Sequence, residues 1–444
     1  MHTTGPTLRP DAMAESAATL LLVMALLAGG GSRGLADAVV HVAALPTLLL
    51  VFVRWQRAPA AGAQRLFAGV CVAAIALALL QLIPLPPYLL LFLPGRDAIL
   101  ADLAQTPEAR AWLPLTLDRW GTLRAALALV VMASFWALAC SLSHAARVRL
   151  LKWAVLLATL TALLGYAQSA AGTHSLLRFY DYHHPVGAIG LFANRNHFAC
   201  LMAMLLPFAI GLGVQSQALR RVPAAIPYMA ASMLFLAAAL SFSRTGLVLA
   251  SAAALASVLL LPSHASSDLT HHRVRRLAPI ASVVLAAAGI AIHAWSGIRS
   301  RLQQDPLEDL RWQYLRHGWD AALAYLPSGS GLGSFRAVYE SFEPTSAMRE
   351  RFALHAHNDV LEILIEAGVP GMILLSALLV AVASAARKNL IDRTSNAPIL
   401  SAAAIAAFVP MAHSLVDYPL RTHAVAVVFA LVLSFVMADA RESR

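Results

Sequence analysis

Charge is scarce in this sequence. Only 13% of its 444 residues are Asp, Glu, Lys or Arg, 59% are hydrophobic, and the mean hydropathy is +0.69. A soluble domain carries roughly a quarter charged residues, so an ordinary water-soluble globule is excluded. Cysteine is nearly absent too. Cys71, Cys140 and Cys200 lie in apolar runs without paired spacing, which points to neither a disulfide framework nor a thiol site. There is no internal repeat, so the matching halves common among transporters are missing. No small-residue cleavage site follows the first apolar run, which ends in Gly29, Gly30 and Gly31; it reads as an uncleaved anchor.

What the chain has is long apolar runs. A membrane span needs about 20 such residues. About twelve candidates occur: 15–31, 35–53, 66–83, 122–142, 150–171, 196–214, 223–240, 244–262, 277–295, 358–383, 398–417 and 421–438. The expected fold is an all-α polytopic membrane protein with about 12 transmembrane helices. The net charge of +10 is concentrated in alternate loops. Arg54, Arg57, Arg65, Arg147, Arg149, Lys152, Arg220, Arg221, Arg273, Arg275, Arg276, Arg387, Lys388 and Arg393 face only Asp268 and Asp392 there. The positive-inside rule puts these loops and both termini in the cytoplasm. The excess is topology, and no nucleic-acid partner is implied.

The opposite loops are balanced in charge. Segment 296–357 holds seven arginines and seven acidic residues, and its length suggests a functional element. The chain is therefore expected to divide into spans 1–9 (1–295), one large outer loop (296–357) and spans 10–12 (358–444). Within the loop, 305–326 places Leu310, Trp312, Leu315, Trp319 and Leu323 at mixed three- and four-residue spacing, consistent with a helix on the membrane surface. Pro327 ends it, and S-G-S-G-L-G-S-F (328–335) follows as a turn. As a phosphate cradle that turn is weak, because it follows a helix rather than a strand.

Three polar clusters interrupt the apolar pattern. L-H-A-H-N-D-V-L-E-I-L-I-E-A-G-V-P-G (354–371) sets His355, His357, Asn358 and Asp359 at the mouth of a span. A helix starting near His355 would align it with Asp359, Glu362 and Glu366 on one face. A histidine there can take a proton from a hydroxyl while a carboxylate orients its ring. The alternatives are an N-cap by Asn358 or Asp359 with solvated histidines, or a metal site, for which no further ligand pair is spaced. The second cluster is cationic: Arg244 in S-F-S-R-T-G (241–246), Arg195 in A-N-R-N-H-F-A (193–199), and Arg311 in the large loop. Outward arginines suit an anion such as diphosphate, which guanidinium binds through paired hydrogen bonds; headgroup snorkelling and pairing with loop acids are the alternatives. The third, H-S-L-V-D-Y-P-L-R (413–421), offers Asp417 as a turn-former before Pro419 or as an acidic contact in the site, and the turn role is preferred.

The order S-x-S-R-x-G, then R…P…G-x-G-x-F, then H-x-H-N-D-x-L-x-x-x-x-E-x-G-x-x-G resembles the O-antigen ligase-like superfamily of membrane glycosyltransferases. The resemblance covers roughly residues 190–425. It implies a GT-C-like helical fold with one large periplasmic loop containing short helices. It also implies transfer of a glycan from undecaprenyl diphosphate to an acceptor sugar hydroxyl, without metal, nucleotide or other cofactor. The acceptor would be lipid A-core (ligase) or a growing polysaccharide (polymerase), in the bacterial inner membrane with a periplasmic site. By motif, His357, Arg244 and Arg311 match the catalytic residues. Asn194, Arg195, His197, His355, Asn358 and Asp359 are the implied substrate-binding set. A lipid-linked glycan transporter is the alternative from another class.

Overall fold

The computed structural model describes residues 10–31, 34–54, 62–172, 175–180, 187–219, 223–262, 310–345, 353–391 and 396–438. Their architecture is helical: α1 (Pro10–Ala28), α2 (Gly34–Arg54), α3 (Gly62–Gln81), α4 (Arg119–Ser141), α5 (His144–Ala171), α6 (Arg195–Leu219), α7 (Ala225–Leu240), α8 (Arg244–Leu260), α9 (Leu310–Tyr325), α10 (Phe335–Phe342), α11 (Asp359–Ile391), α12 (Ala397–His413) and α13 (His423–Val436). Short helical turns join α3 to α4. One two-residue antiparallel pair, Pro84–Leu85 with Leu113–Pro114, departs from the all-α expectation.

Among the described residues seven helices (α1–α6 and α11) are long and apolar enough to cross a membrane. Four shorter apolar helices, α7, α8, α12 and α13, occupy the expected runs 223–240, 244–262, 398–417 and 421–438. The protein is a multi-pass helical membrane protein. The expected span 277–295 and the parts 296–309 and 346–352 of the large loop lie outside the described residues.

Helix α6 forms the centre, flanked by α7, α8 and α12. Its packing depends on small side chains: Ala402, Ala403, Ala406 and Ala407 of α12 are buried, and Gly211 of α6 lies against the Pro398 carbonyl. Apolar side chains gain little from leaving lipid for protein, so close backbone approach through Ala and Gly does the holding. Local signals set the helix starts. Asp118, Ser143 and Ser243 each cap their helix, accepting from the backbone N–H of Gly121, Ala146 and Gly246.

Helix α11 is two segments. Gly368 has φ +56° and ψ −146°, separating Asp359–Ala367 from Val369–Ile391. By helical rise the second segment, ~34 Å long, can cross a bilayer core of about 30 Å alone. The expected span 358–383 falls on this helix, and the break divides it at Gly368. A break frees backbone groups that must be satisfied elsewhere. The glycine turn 328–335 supplies the partners: Ser330 N–H donates to the Ile365 carbonyl (2.9 Å) and Gly331 N–H to the Glu366 carbonyl (2.8 Å). In return Val369 N–H donates to the Pro327 carbonyl (2.9 Å). Gly329 (φ +77°) is required there, since a Cβ would stand 2.5 Å from the Glu366 carbonyl oxygen. Gly329 N–H donates to the Tyr325 carbonyl, Leu332 N–H to the Gln81 side chain and Phe335 N–H to the Glu366 carboxylate, so these N–H groups are taken within the protein, which removes the phosphate-cradle reading. Arg96 braces the other side, donating to the carbonyls of Leu115 (2.6 Å) and Gly329 (3.1 Å).

Candidate active site

The helix of the histidine motif starts at Asp359, not at His355. Asn358 caps it, with Leu361 N–H donating to its side-chain oxygen (3.0 Å). His357, at φ +51°, is in the left-handed region and cannot continue a helix. That turn aims His357 across the bundle at the loop between α12 and α13. Its Nδ1 lies 3.1 Å from Asp417 Oδ1. Tyr314 of α9 stacks parallel to the imidazole (13° between planes), and Tyr418 meets it on edge. The ring is held on three sides.

Asp417 is the hub. It is fully buried, and its second oxygen accepts from the Asn196 side-chain amide and faces the Arg311 guanidinium at 3.6 Å. His197 approaches the first oxygen at 3.8 Å, beyond hydrogen-bond length, and meets the Asn194 amide at 3.2 Å. Burial opposes ionisation of Asp417, but its partners His197 and His357 hold the carboxyl well below the usual carboxylate range. An ionised carboxylate can only accept, so this contact is a hydrogen bond from His357 Nδ1 to Asp417.

Behind this pair lies a second ionic cluster. Arg421 donates to Asp359 (3.1 Å) and Glu366 (3.1 Å) and pairs with Glu362 (3.0 Å). Burial works against its charge, yet Glu362, Glu366 and Asp359 hold the guanidinium protonated above its ordinary value. Glu362 also meets His355 Nδ1 (2.7 Å) and accepts from Ala356 N–H (2.8 Å). Asp359 further accepts from the Ser414 hydroxyl (2.7 Å). This cluster ties the histidine loop to the 413–421 turn.

The remaining expected residues arrive from other helices. Asn194 closes the start of α6, where its side-chain oxygen accepts from Asn196 N–H (2.8 Å), and Arg195 is the first residue of that helix, half-buried. Arg244 opens α8 and is exposed; Gly246 beside it is packed so close to Ala199 that a Cβ would stand 2.3 Å away. Arg195 and Arg244 therefore start neighbouring helices at the end of the bundle that carries Asp417.

Residues 229–376 match the O-antigen ligase family model (Wzy_C). This segment is similar to the O-antigen ligase-like superfamily. No curated protein matches the chain. The match supports a membrane glycosyltransferase of the O-antigen ligase and polymerase kind. The matched segment holds Arg244, Arg311 and His355–Asp359, whereas Asn194–His197 and Asp417–Arg421 lie beyond it and join through the fold.

Sequence reasoning underused four residues of this candidate site. Asp417 does serve its turn, accepting from Tyr418 N–H (3.0 Å), but also orients His357. Tyr314, Tyr418 and Arg421 carried no signal beyond their place in polar segments. The one available clue was that H-S-L-V-D-Y-P-L-R packs four ionisable residues between two apolar runs.

Proposed function

We propose that the chain transfers a glycan from undecaprenyl diphosphate to an acceptor sugar hydroxyl, as an O-antigen ligase-type enzyme of the bacterial inner membrane. The site would face the periplasm and both termini the cytoplasm. One arrangement carries the reading: His357 is held at Nδ1 by a buried, ionised Asp417, with Arg311 on the same carboxylate.

In this reaction His357 Nε2 removes the acceptor hydroxyl proton as the oxygen attacks the anomeric carbon. The bond from that carbon to the diphosphate oxygen breaks, and the electron pair leaves with undecaprenyl diphosphate. The anomeric centre is inverted. Developing charge on the diphosphate is met by Arg244 and Arg311, with Arg195 at the start of α6 assisting. Asn194 and His197 then line the acceptor or donor sugar beside Asp417, while His355, Asn358 and Asp359 hold the histidine loop in register. The residues named need no metal or cofactor for any step.

A polymerase of the same superfamily, extending a growing polysaccharide, is the second reading. It is favoured by the A-N-R-N-H-F-A motif, which the fold draws into the Asp417 cluster. Purified protein offered undecaprenyl-diphosphate oligosaccharide with lipid A-core, or with a second lipid-linked repeat unit, separates the two. Product on lipid A-core, lost in His357→Ala, supports the ligase, and a ladder on the second acceptor supports the polymerase. Transfer that survives His357→Ala in folded protein refutes both. Movement of the lipid-linked donor across vesicles without product would turn the reading to transport.

A further inference from the structure

Helix α9 has two faces with different duties. One packs inward: Ala321 and Ala322 are buried, Gly318 lies against Leu361, and Tyr325 sits against Gly95. The same helix carries Arg311 to Asp417 and Tyr314 onto His357. The other face is apolar and open: Trp312 is 53% exposed, Leu315 37%, Trp319 51% and Leu323 55%. Their spacing of three, four and four residues makes one stripe along the helix, ~16 Å long by helical rise.

The surroundings say what covers it. The chain leaving α9 is bonded to α11 at its break, where Val369 N–H donates to the Pro327 carbonyl, and Val369 and Ile373 below it are exposed apolar residues on the membrane-crossing segment. Leu91 and Phe92 are exposed in the segment that leads to Gly95, and Gly95 touches Tyr325 at the same end of α9. The stripe thus runs on into the lipid-facing belt of a crossing helix. Two tryptophans beside Arg311 and Arg316 are the composition favoured where ring and charge meet the headgroup layer.

We propose that Trp312, Leu315, Trp319 and Leu323 seat α9 in the interfacial layer of the bilayer, and that this lipid surface holds the helix bearing Arg311 and Tyr314 over His357. The occupant is lipid. The inference rests on exposure and continuity with the belt, and stands whether or not the glycosyl-transfer reading does.

The test is nitroxide labelling of single-cysteine variants in full-length protein reconstituted into phospholipid vesicles. Leu315→Cys and Leu323→Cys are the probes, with Ile373→Cys as the lipid standard and exposed Glu340→Cys as the water standard. Probes relaxed by oxygen as strongly as the Ile373 standard, and shielded from a water-soluble nickel chelate, support the proposal. Strong relaxation by the chelate, matching the Glu340 standard, overturns it. Shielding from both reagents also overturns it, and assigns the stripe to a protein partner or a second copy. The labelled positions are exposed, and a melting curve for each variant, and for the background in which Cys71, Cys140 and Cys200 are replaced by alanine, checks that folding survives.

Discussion

Replacing Asp417 with asparagine keeps its volume but removes the charge and changes what faces His357. In the native protein Asp417 Oδ1 lies 3.1 Å from His357 Nδ1, and an ionised carboxylate there can only accept. The proton is pinned on Nδ1 and Nε2 is left basic. An asparagine amide can present its NH₂ group at the same place, which stabilises the opposite tautomer and puts the proton on Nε2. The base would then be lost although every ring atom stays in position. General-base catalysis is worth about 10²–10⁴-fold, so the rate of glycan transfer should fall by about that factor, with little change in KM. In activation free energy this is about 2.7–5.5 kcal/mol. The Asn196 amide keeps its acceptor, while Tyr418 N–H, which shares Oδ1 with His357, loses its own, so the fold should hold with a lowered melting temperature. Initial rates of transfer to the acceptor, with a melting curve in the same detergent, give the measurement. A folded Asp417→Asn protein with the unaltered rate would refute the assignment of Asp417 as the residue orienting His357.

Other outcomes follow from the same contacts. Because partners lower the Asp417 pKa, the native state binds fewer protons than the unfolded chain; its contribution to stability is complete above the unfolded carboxyl pKa of about 3.9 and disappears as pH falls through the lower folded value. Melting temperature against pH should therefore drop less steeply in Asp417→Asn than in the native protein on the acid limb alone, and equal slopes would contradict this. Arg421→Met strands Asp359, Glu362 and Glu366 with no guanidinium, and removing one partner from buried ions typically costs about 3–5 kcal/mol, read as loss of melting temperature or of folded protein. Gly368→Ala should also unfold or strongly destabilise the protein, because at φ +56° its Cβ would stand 2.1 Å from the Pro327 carbonyl oxygen, whereas Ala367→Gly should be mild. His357→Asn should fold, since asparagine tolerates the left-handed turn, yet transfer no glycan.

Membrane insertion could be read directly because it is a local property. Apolar runs such as 122–142 and 196–214 form helices α4 and α6 within a few residues of their expected ends, as lipid leaves the backbone no other way to satisfy its hydrogen bonds. The caps at Ser243 and Asn358 are legible for a similar reason, needing only neighbours three residues on. His357, Arg244 and Arg311 were singled out through their motifs, and the fold sets His357 and Arg311 on one carboxylate. The break at Gly368 was written as G-V-P-G but not interpretable as such, since proline and glycine are tolerated within membrane helices. Its meaning depends on a turn some forty residues earlier whose N–H groups meet the freed carbonyls.

The partners of the histidine were hidden for a deeper reason. Asp417 lies 60 residues from His357, and Asn196 lies 221 from Asp417. Nothing in local periodicity tells a turn-forming aspartate from one that also orients a distant imidazole. Composition and hydrophobic runs decide which segments cross the bilayer, because each segment answers to its lipid solvent alone. Packing of α6, α11 and α12 decides which of the ionisable residues left at the helix ends share a site. A buried charge is stable only where the fold brings it a partner, and that choice is made in three dimensions.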